Sequence, residues 1–301
     1  MKPTTFRWFA LATFISMLLI IATGAAVRLT GSGLGCPDWP TCYHGQITGS
    51  WSLHPLIEYT NRMVTVLLVG VTMVTSLAAW FRSPRRTDLV KYSLLLVAGV
   101  IADAVLGAIV VYSKLNPWLV SSHLVLSIGM VILGAILYHR SKYRYGSGER
   151  ADVRDPRMQR VARLLWLPFF AVIVAGTITT GSGPHAGSSQ GQLRARRLPF
   201  ALSNATLVHA ILVLLFIVIV LAIYAQLRRE NAPTKAQNGV LRLLVIGSLQ
   251  GLVGVVQYFT HLPVGLVEVH VCLAASVAIG VTQFNLAQTG RDREVGLERK
   301  Q

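Results

Sequence analysis

Apolar residues fill eight long stretches of this chain, and each stretch has about the length of a membrane-spanning helix. About 20 consecutive apolar residues cross the hydrocarbon core of a bilayer. Lipid offers no hydrogen-bond partners to open backbone groups, so such stretches must be helical. We therefore predict an all-α integral membrane protein with eight transmembrane helices. The predicted spans are 7–27, 57–80, 90–112, 119–139, 161–180, 204–226, 240–260 and 264–286.

Composition and the placement of charge agree with this architecture. The chain is 53% hydrophobic and only 13% charged, which is too little charge to cover a soluble domain of this size. The net charge of +16 alone would suit nucleic acid, but 22 of the 28 lysines and arginines fall in five segments that alternate with poorly basic connections. The connection at 181–203, with three arginines, is the exception. The positive-inside rule then predicts two cytoplasmic termini, a plasma-membrane location and no nucleic-acid partner.

An internal repeat divides the chain into two halves. The tetrapeptide TGSG occurs at 30–33 and again at 180–183, each time directly after an apolar stretch. Other polar positions repeat in the same order, which indicates duplication of a four-helix unit. We predict two pseudo-symmetric four-helix bundles, 1–145 and 146–301. The matched positions, 146 to 148 residues apart, are Asn61 and His209, Asp103 and Gln250, Pro117 and Pro263, and His123 and His270.

Of the histidines in the predicted spans, His139 lies at a cytoplasmic end, and the other three lie near the outer ends of even-numbered helices. Ionisable residues within a membrane usually face the bundle interior and mark functional sites. His209 and His270 belong to parallel helices of the second half, at equal depth, where they can hold a flat ring between them. Haem with two axial histidines fits that geometry, whereas zinc would require three or four closely spaced ligands. The alternative is that both histidines only hydrogen-bond to helix backbones.

The first half carries His123 but has Asn61 where its partner histidine is expected. Glu58, Asn61, Arg62 and Thr65 form one polar stripe on the second predicted helix, at positions i, i+3, i+4 and i+7. Glu58 and Arg62 could simply form an ion pair. The alternative is a site with one fixed ligand, an open face and a carboxylate nearby. This asymmetry predicts a substrate site in the first half and a closed haem site in the second.

Two cysteines occur in the motif GCPDWPTC on the predicted outer side, where disulfides persist. Cys36 and Cys42 are close enough in sequence for a disulfide to close the loop. That bond would be either a structural staple or a redox-active pair, since exposed disulfides in small loops are often labile. Cys272 lies within a span and is expected to be a small packing residue. Asp103, in the middle of the third span, is expected to relay protons or to hydrogen-bond in its protonated form.

Several of these motifs resemble the haem A synthase family over nearly the whole chain. The family oxidises the C8 methyl of haem O to the formyl of haem A through hydroxylated intermediates, for cytochrome oxidase. The similarity is carried by RLTGSGLGCPDWPTC (28–42), EYTNR (58–62), SSHLVLSIG (121–129), TGSGPHAG (180–187), His209 and His270.

The resemblance implies roles for individual residues. His209 and His270 would ligate a haem b, and the first half would receive haem O as substrate through His123. Glu58 would take part in the oxidation. Expected partners are a haem O synthase as substrate donor, the cytochrome oxidase assembly process and membrane lipid, and a homo-oligomer stays an open alternative. The remaining implied site residues are Asn61 and Arg62 at the substrate haem, and Cys36 and Cys42 as a redox pair.

This chain departs from the family at one ligand. The family motif is a glutamate, two further residues and then His-Arg, whereas Glu58 is followed at those positions by Asn61 and Arg62. We therefore expect the substrate haem to bind through His123 alone on one face. The main rival, a membrane haem b electron-transfer protein, would require two complete histidine pairs. A repeat-built transporter would require broken helices at mid-depth, but the polar groups here cluster towards one end of the spans.

Overall fold

The computed structural model describes residues 1–43, 45, 51–144, 156–188, 195–288 and 293–294. These residues are almost entirely helical. The only strands among them are β1 (Tyr143–Arg144) and β2 (Arg293–Glu294), which pair antiparallel. The helices in the described part of the chain are α1 (Pro3–Leu29), α2 (Leu53–Trp80), α3 (Thr87–Tyr112), α4 (Pro117–Ser141), α5 (Pro156–Leu164), α6 (Trp166–Ser182), α7 (Leu202–Arg229), α8 (Thr234–Phe259) and α9 (Val264–Gln288).

Helices α5 and α6 together form one membrane span, Pro156–Ser182, so that the described chain has eight candidate spans. The helix is interrupted at Leu165. Pro168 has no backbone N–H to donate to the carbonyl of Leu164, four residues earlier, and proline breaks or kinks a helix at that point. The predicted fold class, with eight helices long and apolar enough to cross a membrane, is confirmed. The predicted boundary between the halves, at 145/146, lies outside the described residues.

Contacts between loops define one side of the bundle, here called the disulfide side because it carries the Cys36–Cys42 bond. The backbone N–H of Gly33, after α1, donates to the carbonyl of Gly187, after α6, over 2.9 Å. The ring of His185 lies 2.8 Å from a backbone carbonyl in the connection between α8 and α9. The first TGSG segment is therefore joined to the loop that follows the second one.

The opposite side carries the N-terminus and is here called the terminal side. The amino group of Met1 donates to the carbonyl of Phe81, at the end of α2, over 2.8 Å. Arg86 pairs with Asp88 over 2.6 Å and also donates to the carbonyl of Arg140 over 2.9 Å. These contacts join the N-terminus to the end of α2 and the start of α3 to the end of α4.

One continuous apolar core runs through both halves. Helices α1, α4 and α9 lie at the centre, where α1 packs against α2, α4 and α9, and α4 packs against α3, α6 and α9. In a membrane, such packing depends on van der Waals contact rather than on exclusion of water. The largest fully buried side chains of this core include Phe6, Met17, Leu137, Phe169 and Leu243.

The outward faces of the helices are also apolar. Leu67 on α2, Ile101 on α3, Leu214 on α7 and Leu252 on α8 are all exposed. A soluble protein rarely exposes apolar surface of this extent, whereas lipid covers it at no cost. The exposed surface is therefore that of a multi-pass membrane protein.

Candidate functional site

Two histidines of the second half face each other across a gap. His209 on α7 and His270 on α9 have ring centres 6.4 Å apart, with their planes inclined by 74°. Two imidazoles that bind one metal from opposite sides have ring centres roughly 6 Å apart, because each metal–nitrogen bond is about 2 Å. The predicted pairing of these two helices is therefore observed, at a spacing suited to one iron.

A mainly apolar cavity of about 620 Å³ opens between these rings. Its lining includes Val213 and Ile217 of α7 together with Gly251 of α8. This volume lies in the range that holds a cofactor-sized ligand. Two imidazoles at axial spacing and an apolar slot fit a haem.

A glycine on the preceding helix packs against each of the four repeated ligand positions. A side chain at Gly176 or Gly254 would bring its Cβ within 3.1 Å of a histidine ring carbon. The absence of a side chain therefore makes room for each ring. The sequence analysis did not identify these glycines. A signal for them exists, because Gly107 and Gly254 are separated by the same number of residues as His123 and His270. The pairs are Gly24 with Asn61 (3.9 Å), Gly107 with His123 (3.4 Å), Gly176 with His209 (3.1 Å) and Gly254 with His270 (3.1 Å).

The first half has its own cavity, of about 320 Å³, enclosed mainly by α1, α2, α3 and α4. Asn61 and His123 both line it, as predicted from the repeat. The side-chain oxygen of Asn61 accepts a hydrogen bond from Thr23 over 2.7 Å, which orients the amide. Arg28, which the sequence analysis did not single out, also lines this cavity.

A carboxylate supports His123 from behind. Oδ1 of Asp103 on α3 lies 2.9 Å from Nδ1 of His123, and Ser127 donates to Oδ2 of Asp103 over 2.6 Å. Such a carboxylate fixes the ring orientation of a ligating histidine and strengthens it as a ligand. At the matching position, Gln250 instead donates to the backbone carbonyl of His270 over 2.9 Å. The two halves therefore differ at this supporting residue as well as at Asn61.

Cys36 and Cys42 form a disulfide, with their Cα atoms 4.4 Å apart. Both cysteines are fully buried beneath the rest of the loop. The carboxylate of Glu58, on the first turns of α2, accepts a hydrogen bond from the backbone N–H of Cys36 over 2.7 Å. Glu58 also lines the first cavity. This carboxylate therefore touches the disulfide loop and the cavity at once.

Arg62 ties the same loop to α2. Its Nη1 donates to the carbonyls of Asp38 (2.6 Å) and Thr41 (2.7 Å), and its Nη2 donates to the carbonyl of Cys36 (2.8 Å) and to Glu58 (2.6 Å). Both terminal nitrogens are thus engaged with protein acceptors. Arg62 lines the first cavity, so its role in binding haem stays a prediction. The ion pair with Glu58, foreseen as the simpler alternative, is present.

The two cavities are neighbours across α9. Val267 lines both of them, Val271 lines the first, and His270 lines the second. A single helix therefore separates the histidine pair from the site of His123.

Comparison with known proteins agrees with these features. The model of the COX15-CtaA family, described as cytochrome oxidase assembly protein, matches residues 7–52 and 50–282. A heme A synthase of Bacillus pumilus is 22% identical over 280 residues, which cover 88% of this chain and 89% of that protein.

Two further relatives carry the same name. A heme A synthase of Shewanella oneidensis is 29% identical over 211 residues, which span 65% of this chain and 61% of that protein. One from Alkalihalophilus pseudofirmus is 24% identical over 278 residues, 86% of this chain and 90% of that protein. The resemblance predicted from the motifs is confirmed. Since the family model covers most of the sequence, the chain belongs to the COX15-CtaA family of cytochrome oxidase assembly proteins.

Proposed function

We propose that this chain is a haem A synthase, an oxidoreductase that converts the C8 methyl of haem O into the formyl of haem A for cytochrome oxidase assembly. The observation that carries the proposal is the pairing of two unlike cavities across α9. One has two histidines at axial spacing, and the other has a single carboxylate-supported histidine opposite Asn61. The names of the relatives, over alignments that span up to 88% of this chain, support the same activity.

His209 and His270 would hold a haem b in the second cavity. When bound, this haem supplies electron transfer to or from the neighbouring site. Gly176 and Gly254 leave the space that the two rings occupy, and the apolar lining keeps water from the macrocycle. Because His209 and His270 would both hold the iron, this site would be suited to transfer electrons rather than to bind a substrate.

His123 would hold the iron of the substrate, haem O, in the first cavity. Asp103 fixes the ring so that Nε2 is the nitrogen free to bind. Asn61 lies where the second ligand of the other half is found, and its side-chain oxygen already accepts from Thr23. The face of the substrate towards Asn61 is therefore left open for the oxidation, with Arg62 at the same end of the cavity.

Glu58, Cys36 and Cys42 would supply the proton and electron chemistry beside the substrate. Glu58 lines the cavity and can hold or move a proton there. A disulfide takes up two electrons and two protons when it is reduced to two thiols, so that the Cys36–Cys42 pair is a candidate redox partner. The hydrogen bond from Cys36 to Glu58 joins the two groups.

From the same function we infer the orientation of the protein in the membrane and the source of its substrate. The disulfide side would face the outside of the plasma membrane, and both termini would lie in the cytoplasm. Each half, 1–145 and 146–301, would form one four-helix unit. A haem O synthase would deliver the substrate through the lipid phase. The rival reading, a haem b electron-transfer protein, lacks its fourth histidine at Asn61.

Haem extraction tests the proposal directly. The chain is coexpressed with a haem O synthase in cells that lack their own haem A, and the extracted haems are separated by chromatography. We expect haem A or its hydroxylated intermediate with the wild type. The His123→Ala variant, which keeps the second cavity intact, should accumulate haem O. If the wild type also yields haem O alone while containing its own haem, the electron-transfer reading replaces ours.

A further inference from the structure

Arg28 is a charged residue within a membrane span that has no acidic partner among the described residues. It is the penultimate residue of α1, at the disulfide side. Its Nε donates to the backbone carbonyl of His185 over 3.0 Å, and this is its one hydrogen bond in the described chain. The bond holds the guanidinium in place, and the two Nη nitrogens donate to no acceptor among the described residues. These nitrogens belong to a residue that lines the first cavity.

An unpaired charge in such a place requires an explanation. Charged residues within membrane spans are costly, and they are normally paired or mark a pathway for substrate or ions. The other cation that lines the same cavity, Arg62, donates through both Nη atoms to the disulfide loop and to Glu58. Glu58 is in turn occupied by Arg62 and by the backbone of Cys36. Among the described residues that line this cavity, Arg28 is therefore the arginine that can take an external anion.

The position of Arg28 sets which part of a ligand it can reach. His123 is the seventh residue of α4 from the disulfide side, whereas Arg28 is one residue from the corresponding end of α1. A flat ligand held at His123 would therefore present to Arg28 the edge that points to the disulfide side. A guanidinium binds a carboxylate through two parallel N–H groups, and its two Nη atoms are in place to do so.

We propose that Arg28 is the carboxylate-binding residue of the first cavity, and that it holds a propionate of the porphyrin substrate. This inference rests on the proposed function and adds to it the group that orients haem O about the axis through His123. A porphyrin bound by its iron alone could rotate in the cavity. With one propionate held at Arg28, the same substituents face the same protein groups in each binding event.

The test compares haem O with its dimethyl ester, in which both carboxylates are masked. Each is titrated optically into protein whose second cavity is already loaded with haem, and the His123→Ala variant defines the signal of the first cavity. The wild type should bind haem O more tightly than the ester. Loss of a charged hydrogen bond typically costs a factor of about 10 to 100. The Arg28→Gln substitution should therefore lower the affinity for haem O by that factor and leave the affinity for the ester unchanged.

Two further variants serve as controls. Arg28→Lys keeps the charge and should retain part of the preference for the free acid. Arg196→Gln removes an equal charge from an exposed position beyond α6 and should alter neither affinity. The spectrum of the haem between His209 and His270 reports in every variant whether the bundle is folded.

The outcomes distinguish a failure of the role of Arg28 from a failure of the proposed function. Equal affinity of the wild type for acid and ester, with binding that depends on His123, would overturn the role of Arg28 and leave the proposed function standing. If the folded Arg28→Gln variant loses affinity for haem O and for the ester equally, the role of Arg28 is also overturned. Arg28 would then affect the packing of the cavity and would not bind a carboxylate. If neither ligand binds the wild type in a manner that depends on His123, the proposed function itself fails.

Discussion

The support that Asp103 provides to His123 makes a quantitative prediction. The Asp103→Asn substitution keeps the size of the side chain, but it replaces by an amide the carboxyl group whose Oδ1 lies 2.9 Å from Nδ1 of His123. Changes to residues that orient a metal ligand commonly lower metal affinity or activity about 10- to 100-fold. We expect the affinity of the first cavity for haem O to decrease by a factor in this range, and the rate of product formation to decrease by a similar factor.

The Ser127→Ala variant serves as a comparison, because it leaves the carboxyl group of Asp103 in place. Ser127 donates to the other oxygen of Asp103 over 2.6 Å, and Ser127→Ala removes that bond without removing the carboxylate. Loss of a single hydrogen bond of this kind costs about 1 kcal/mol, which corresponds to roughly a fivefold change. Ser127→Ala should therefore weaken haem O binding in the same direction as Asp103→Asn, but by less.

Optical titration of haem O and chromatography of the extracted haems provide the two measurements. The haem of the second cavity acts as an internal reference, because His270 is supported by Gln250 rather than by a carboxylate. Its spectrum should not change in Asp103→Asn. If this variant binds haem O and forms product as the wild type does, the carboxylate has no role in tuning His123, and our distinction between the two halves is wrong.

The remaining predictions concern the second cavity and the carboxylate beside the disulfide. His209→Ala and His270→Ala should each abolish the low-spin haem spectrum of the purified protein, and its persistence in both would refute the ligand assignment. Glu58→Gln should keep that haem but stop haem A formation, whereas normal product would exclude an essential carboxylate. Gly254→Val should lower haem content, because a Cβ there would lie 3.1 Å from the His270 ring. Gly239→Val lies on the same helix with open space beside it, so this variant should keep the haem content of the wild type. An equal loss of haem in both variants would indicate that valine only destabilises the helix.

The spans and the ligand positions could be predicted from the sequence because each follows from a local rule. Lipid cannot satisfy open backbone groups, so that every long apolar stretch had to become a helix. The repeat then placed His209 and His270 on parallel helices, and Asn61 opposite His123. The kink at Leu165 follows from Pro168, although the sequence analysis did not anticipate it.

Other features of the site depend on how each helix is rotated and which neighbour it meets. Apolar stretches exposed to lipid carry little periodic signal, so the pattern does not say which face of α3 points to α4. The contact of Asp103 with His123, and the glycines that face the ligand positions, therefore emerged only from the packed bundle. Likewise, sequence suggested a pair between Glu58 and Arg62, but not that the disulfide loop occupies both residues.

The sequence by itself thus determined the number of spans and the repeat, and it singled out the candidate histidines, because hydrophobic length and residue chemistry are properties of single segments. Only the tertiary structure decided which polar groups are already satisfied. Arg62 and Arg28 look alike in the sequence, as single arginines near the disulfide side. The fold surrounds Arg62 with acceptors, whereas Arg28 lines the cavity with no described acceptor at its Nη atoms. Partners that come from distant segments meet only when the helices pack, and that difference separates a structural arginine from one available to a substrate.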